Sequence, residues 1–411
     1  MAPLETPGRI EPCLLEGADS GVPADLANLA GTILEDARKL DNELRSPGTR
    51  QELAELVRVM NAYYSGLIEG HDVRPRDIEY ALAGAEVDDK IRPLAEEAKA
   101  HVLVEREIDE LFAADRLPVA TSIEFIRYVH ARFYENMPAE YRVMTSGDGR
   151  KIEIVPGRFR ETDDEDVSVG RHQPQSSVRV AEYMKHFARR YGELSSQNKI
   201  RYMLAIPAAH HRLNFIHPFP DGNGRVSRLV SHAMALHAGI GSHGLWSISR
   251  GLARGLVDSG EYKRQMDAAD GPRRGDLDGR GNLSLAALSS FTEWFLKAAH
   301  DQIRFSLFMF DQDRLLERYT DIIRETVDDA RAPTLAEAVF LSGELDRGHA
   351  ALVLQTSQRT ARKTLTRLVS AGFLKSDGPK TPVRIAFPLD YRERFFPDLF
   401  GAAERDPDSF G

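Results

Sequence analysis

The sequence predicts a mainly α protein with two short β interruptions, and three observations carry that expectation. Apolar residues recur at spacings of three and four along most of the chain, as at Leu53, Leu56, Val57, Met60 and Tyr64, which is the period of an amphipathic helix. Strand-like patterning is confined to a stretch between Arg142 and Arg171 and to another after Ala371. At 411 residues the chain exceeds one ordinary core, and roughly 150 residues per domain gives two or three packing units.

In chain order, the first 24 residues are rich in proline and glycine and carry no sustained period, so they read as an extended arm. Successive amphipathic helices are expected from Ala24 to about Leu111, then a helix over Thr121–Glu135 with Ser122 or Thr121 as its cap. The run from Lys151 to Arg160, an acidic segment and then Val167 to Gly170 read as two short strands around a charged loop, a hairpin. Helices follow over Ser177–Arg190 and Ser196 to about Asn214, the second ending before a proline- and glycine-rich turn at Pro218–Gly224, and another runs from that turn to Ala238. Helical patterning continues to Phe310 and over Leu315–Val327. From Pro333 a small separate unit is expected, with helices Thr334–Leu345, His349–Leu354 and Ser357–Ala371 followed by strand-like Phe373–Lys375 and Val383–Phe387. Three helices and a two-stranded wing form a winged helix-turn-helix arrangement.

Composition narrows the class. Hydrophobic residues at 42% and charged residues at 28% exclude wholesale disorder, a collagen-like repeat and a disulfide scaffold. Cys13 is the single cysteine, so neither an internal disulfide nor a Cys-rich zinc site can form, and a reducing cytosol is compatible. With 54 basic against 63 acidic residues and a net charge of −9, the surface offers no broad field for nucleic acid, so any such contact must be local. No apolar run approaches the roughly 20 residues of a membrane span. The start, Met-Ala-Pro-Leu-Glu-Thr-Pro, lacks the basic and apolar parts of a secretion signal. The expectation is a cytoplasmic protein without a membrane partner.

The chemistry concentrates in the twelve residues from His217 to Arg228, His-Pro-Phe-Pro-Asp-Gly-Asn-Gly-Arg-Val-Ser-Arg. Gly222 and Gly224 flank Asn223 where a helix begins, and glycines there let backbone N–H groups converge on an anion that also feels the positive end of the helix. Arg225 and Arg228, three apart on that helix, can add charge-assisted bonds to outer phosphates. Asp221 supplies one hard oxygen, which suits Mg²⁺ held by a carboxylate and substrate phosphates. His217 titrates near neutrality and can take a proton from an attacking hydroxyl. Any one of these residues fits an ordinary turn with solvated arginines; a plain turn needs neither the base nor both arginines.

The full pattern His-Pro-Phe-x-Asp-Gly-Asn-Gly-Arg-x-x-Arg resembles the signature of the Fic (filamentation induced by cAMP) family. That resemblance implies a Fic-type helical core that transfers AMP from Mg·ATP to a hydroxyl side chain of a protein and releases pyrophosphate. It implies His217 as general base, Asp221 as Mg²⁺ ligand, Gly222, Asn223 and Gly224 as the anion hole, and Arg225 and Arg228 on the β- and γ-phosphates. Pro156 to Arg160 through Val169 and Gly170 resembles the family's flap, a short β-hairpin on which a target segment aligns as an added strand, so a target protein is expected near 156–171. Leu245–Arg250 and Asp276–Ser284 resemble segments of longer Fic proteins; the second lacks the spaced carboxylates of an EF-hand and reads as a structural turn.

Ser65-Gly-Leu-Ile-Glu69-Gly70 resembles the family's inhibitory motif, and its place ahead of the core implies a self-restrained, class II enzyme. Glu69 paired with Arg228 would occupy the guanidinium that the γ-phosphate needs, Ser65 would point toward the anion hole, and Gly66 would loosen the turn. The implied organisation is an arm over 1–24, an inhibitory helical region over 25–115, a catalytic core over 116–310, a connecting helix over 311–332, a winged helix over 333–395 and a tail over 396–411. In the small unit Arg359, Arg362, Lys363, Arg367, Lys375, Lys380 and Arg384 form a basic run. That run either neutralises DNA phosphates or is solvated on a unit, spanning 333–388, that docks on another protein or a second copy. Alternatives to AMP transfer are a nucleotide-sensing DNA-binding regulator, de-AMPylation, and phosphotransfer like that of the Doc toxins, which place Lys where Gly224 stands.

Overall fold

The structure, a computed structural model, describes residues 23–145, 149–170, 172–196, 198–279 and 281–400. The expected N-terminal arm with Cys13, and the tail from 401, lie outside the described residues. The chain forms two compact units: one takes in the described residues up to Ala37, Asn61–Ser242 and Trp246–Gln302, the other Arg38–Met60, His243–Leu245 and the described residues from Ile303 onward.

Helices come first in sequence: α1 (Ala24–Glu43), α2 (Pro47–Glu69), α3 (Pro75–Leu82), α4 (Arg92–Ala113) and α5 (Ile123–Glu135). A hairpin of β1 (Val143–Thr145) and β2 (Lys151–Glu153) follows, then α6 (Val180–Gly192), α7 (Lys199–Ile216), α8 (Asn223–Ala238), α9 (Ile248–Arg254), α10 (Glu261–Ala269) and α11 (Leu285–Met309). Ser122 starts α5, its Oγ accepting from the Phe125 amide at 3.1 Å. Asn198 does the same for α7, its Oδ1 accepting from Ile200 N at 2.8 Å, so each cap satisfies a donor that the helix leaves open.

The centre of the first unit is α7, buried on nearly every face from Tyr202 to Ile216, His210, His211 and Arg212 included. It packs on α8, which in turn packs on α4 and α5. Each large side chain so buried contributes about 1.5–3 kcal/mol of transfer free energy. The loop between α7 and α8 is thereby held at both ends by buried helices, and it carries the twelve-residue motif.

Three expectations are corrected. The hairpin pairs Val143 with Glu153, Met144 with Ile152 and Thr145 with Lys151, so 151–153 pairs upstream and not with 167–170. The cause lies at Pro156 and Gly157: Gly157 is left-handed (φ 74°), donates its N–H to His130 Nδ1 at 2.8 Å and accepts from Arg127 Nε at 2.7 Å, which turns the chain onto α5. Glu165 then closes a short 3₁₀ turn by accepting from the Glu161 amide at 2.6 Å, and Val169 forms an isolated bridge to His172. Secondly, Gly66 does not loosen its helix: α2 runs unbroken to Glu69, and its end is closed by Gly70 N on Leu67 O (3.0 Å) and His71 N on Gly66 O (2.9 Å) with Gly70 left-handed, the Schellman arrangement.

The third correction is in the second unit, which holds α12 (Gln312–Thr326), α13 (Ala332–Ser342), β3 (Glu344–Leu345), α14 (Ala350–Val353), α15 (Gln358–Ser370), β4 (Leu374–Lys375), β5 (Val383–Ile385) and α16 (Arg392–Phe395). The helix expected to reach Leu345 stops at Ser342, because Gly343 adopts φ 85° and releases Glu344 and Leu345 to pair with Arg384 and Val383. The sheet order is β3-β5-β4. Its core is aromatic, with Tyr319 ringed by Phe340, Phe373, Phe387 and Phe395 and its hydroxyl donating to the Phe373 carbonyl.

Candidate active site

His217 terminates α7 in the left-handed region (φ 51°, ψ 62°), where the chain leaves the helix and turns into the loop. Burial is the main force that pushes its imidazole down to about 4, with Arg160 and His172 acting in the same direction and Asp221 opposing. The ring is therefore neutral at physiological pH, the form that accepts a proton. Four residues on, burial favours the neutral acid of Asp221, but Arg225, the Tyr134 hydroxyl and the Gly222 backbone outweigh it and hold the carboxyl at about 2. Tyr134 donates to Asp221 Oδ2 at 2.6 Å and Arg225 Nη2 does so at 2.8 Å.

The loop is braced from within. The Asn223 side chain accepts from the Phe219 amide at 2.9 Å and donates to the Phe219 carbonyl at 2.8 Å, while Phe219 stacks on His130 at 3.8 Å. Gly222 (φ 82°) caps α8, and a Cβ there would lie 3.0 Å from the Tyr134 ring. Asn223 thus shapes the turn by its side chain, and the backbone of 222–224 opens the N-terminus of α8, where the helix dipole favours an anion.

Both arginines of the motif already hold carboxylates. Arg228 donates from Nε to Ser65 Oγ (2.8 Å) and from Nη2 to Ser65 O (3.1 Å) and Glu69 Oε1 (2.6 Å). Ser65 is thus a ligand of the guanidinium and not a side chain aimed at the glycine turn. Burial resists ionisation of Glu69, but Arg228 and then Arg225 win and hold its carboxyl below the usual range. A Cβ on Gly224 would run into that carboxylate and lie 3.1 Å from Arg228 Nη1. Arg225, buried and lying 5.4 Å over the Phe133 ring, bridges Asp221 to Glu97 Oε1 at 2.6 Å. The same Glu97 oxygen receives His71 Nδ1 at 3.0 Å.

The structure therefore brings together His217, Asp221, Gly222, Asn223, Gly224, Arg225, Arg228, Ser65 and Glu69. Sequence reasoning missed Tyr134, Glu97 and His71. No local signal marks them, since Glu97 and Tyr134 reach the motif from α4 and α5 and His71 from the turn after α2, all far away in the chain. Asp278 behaves as a turn former, accepting from the Arg274 and Ala286 amides at 2.8 Å each. Among the described residues no group of three or more His, Cys, Asp or Glu is placed to hold a metal. The Asp221 side chain, ionised and 40% exposed, fits a hard cation held by one carboxylate and substrate phosphates.

A helix-bounded loop with a neutral imidazole, one ionised carboxylate, a glycine-flanked helix start and two arginines is equipped to bind a polyphosphate and to remove a proton beside it. Residues 120–235 match the model of the Fic/DOC family, and this part of the chain is a Fic domain. A protein adenylyltransferase Fic from Drosophila grimshawi is 37% identical over 86 residues, 21% of this chain and 17% of that protein. The Nematostella vectensis protein of the same name is 36% identical over 92 residues, 22% of this chain and 20% of its own length. The chain thus matches about a fifth of these curated relatives or less. Among solved structures, a Fic domain containing signaling protein from Bacteroides thetaiotaomicron is similar with a TM-score of 0.51 at 16% identity, covering 68% of this chain and 95% of that one, which shows the fold. No helix among the described residues is long and apolar enough to cross a membrane.

Proposed function

We propose that this chain transfers AMP from Mg²⁺-bound ATP to a hydroxyl side chain of a protein and that Glu69 restrains it. The observation that supports this reading best is that Glu69 and Glu97 occupy Arg228 and Arg225, so internal anions sit on the two cations suited to phosphates. With Glu69 withdrawn, Arg228 and the open N-terminus of α8 receive the outer phosphates and the α-phosphorus faces His217. Neutral His217 takes the proton of the target hydroxyl as its oxygen bonds to the α-phosphorus. The bond from that phosphorus to the bridging oxygen breaks, and pyrophosphate leaves. Asp221 would hold Mg²⁺, which neutralises charge on the phosphates when bound. The place of Gly224 against Glu69 and Arg228 favours AMP transfer over phosphotransfer, because a lysine there would fill the space that the outer phosphates need.

The test is labelling with α-³²P-ATP and Mg²⁺. Glu69→Gly is expected to raise self-labelling at least tenfold over the parent, and His217→Ala to abolish it in the same background. Label that arises only from γ-³²P-ATP sinks AMP transfer, and unaltered labelling after Asp221→Ala removes the metal role.

For the second unit we infer a winged helix that docks through the exposed face of α15. Arg359, Arg362 and Lys363 are exposed there and, with Lys380, have no ion-pair partner among the described residues, whereas Arg367, Lys375 and Arg384 are engaged by Asp329, Glu52 and Asp377. With four free cations, binding to random-sequence DNA should lose affinity with a log–log salt slope no steeper than about −4. Replacing the three α15 residues by alanine should flatten that slope to about −1, as read by fluorescence anisotropy. No binding at low salt favours a protein partner or a second copy.

A further inference from the structure

The reaction site rests on a residue outside the twelve-residue motif. Arg160 has no exposed side-chain surface, yet among the described residues its charge meets a single carboxylate oxygen, Asp166 Oδ1, at 3.4 Å. Its other bonds go mainly to carbonyls at the end of α7. Nε donates to His217 O at 2.7 Å and Nη2 to Ile216 O at 3.1 Å, while its own amide donates to Pro218 O at 2.9 Å. One residue thus holds three successive carbonyls around the base. The remaining bonds lead elsewhere: Nη2 to Gln175 O, and Nη1 to Ser177 Oγ at 2.9 Å, with Ser177 Oγ and N both donating to Asp166 at 2.6 and 2.7 Å.

This arrangement costs free energy. Burial outweighs the opposing charges of Asp166 and Glu165 and pushes the guanidinium down to about 10, and an apolar side chain of similar volume would pack a structural position at lower cost. What the guanidinium supplies is a planar fork of donors placed at the negative end of a helix, where a non-glycine residue must stay in the disfavoured left-handed region.

Building on the AMP-transfer reading, we propose that Arg160 is a positioning residue for His217: it fixes the left-handed end of α7 so that the imidazole faces the glycine turn, and it ties that orientation to the segment 166–177. The groups whose charge reaches His217 are Arg160, His172 and Asp221, and those that reach Arg160 are Asp166 and Glu165. His172 is itself anchored, by Nε2 on Phe215 O at 2.8 Å and by Nδ1 against Asp270 at 3.1 Å, so Arg160 is the group that grips the His217 carbonyl directly. A target segment lying on 156–171 would then press on the chain that orients the base.

The test uses the full chain in the Glu69→Gly background, with the maximal self-labelling rate and the half-saturating ATP concentration measured separately. Arg160→Gln is expected to lower the maximal rate about 100-fold, the scale of a misplaced reacting group, while half-saturation stays within threefold. Arg160→Lys, which keeps the charge and one donor, is expected to recover about tenfold of that loss. A folded Arg160→Gln protein with a maximal rate within threefold of its parent overturns the proposal, as does a rise in half-saturating ATP that matches the fall in rate. If circular dichroism shows Arg160→Gln unfolded, Ser177→Ala decides: a fall of about fivefold in maximal rate at constant half-saturation supports the role, and an unchanged rate overturns it. Absence of label in the parent itself sinks AMP transfer instead. Arg160 is then judged by the ¹³C shifts of His217 in selectively labelled protein, which should leave left-handed values in Arg160→Gln and refute the role if they do not move.

Discussion

Gly222 sits where two constraints meet, a left-handed backbone (φ 82°) and the Tyr134 ring at 3.0 Å from any added Cβ. Gly222→Ala should therefore lower stability by about 1–3 kcal/mol, measured by urea unfolding; the backbone part of the loss remains even if Tyr134 swings clear, and an unchanged midpoint would refute the strain. Contiguous residues such as these were readable in advance because the turn, the helix start and the charges share one short string. Tyr134, Glu97 and Arg160 were not, because their meaning comes from what packing brings near. The bond from Tyr134 to Asp221 spans 87 positions and that from Arg160 to His217 spans 57, and no periodicity reports such a pairing.

At the level of elements, the end of α2 is tied to α8 twice, by Glu69 on Arg228 and through His71 on Glu97, which also holds Arg225. The Glu97 bond is the largest influence on His71 and raises its imidazole above the usual value, against burial. A raised histidine contributes stability that is fully present below about 6.5 and is lost as pH climbs through the raised value. The melting-temperature gap between parent and His71→Ala should thus be widest below about pH 6.5 and narrow as pH rises above it; a gap that is constant with pH would refute the ion pair. The helices themselves followed from their periodicity and caps, as Ser122 illustrates. The flap did not, because its alternating residues at 151–155 fit either neighbour, and Gly157, held by His130 and Arg127, chooses the upstream one.

For the molecule as a whole, charge balance predicts acid sensitivity with an early onset. Burial pushes His130 and His210 down to about 3 and His217 down to about 4, and lowers His101 and His211 as well. Below pH 6.5 the unfolded chain binds protons at these sites and the folded one does not, so stability falls with pH. The slope is about 1.4 kcal/mol per pH unit for each fully buried ring. Carboxylates such as Asp221, at about 2, join only below about pH 4. Thermal melts should show the loss beginning near pH 6, and a flat profile down to pH 4.5 would contradict the buried neutral rings. The helical class followed from the spacing of apolar residues. The division into two units was less legible, since Arg38–Met60 joins residues beyond Ile303, a long-range association that linear order hides.

The amide of Asn223 closes a two-bond ring on the backbone of Phe219 beneath a stacked imidazole. Its loop is consequently preorganised: the curvature that a ligand would otherwise have to impose is set during folding, and little ordering entropy is left to oppose binding. The Phe219 amide should accordingly exchange its proton for deuterium as slowly without nucleotide as with it, and the motif would then respond to its ligand by changing partners at a fixed shape.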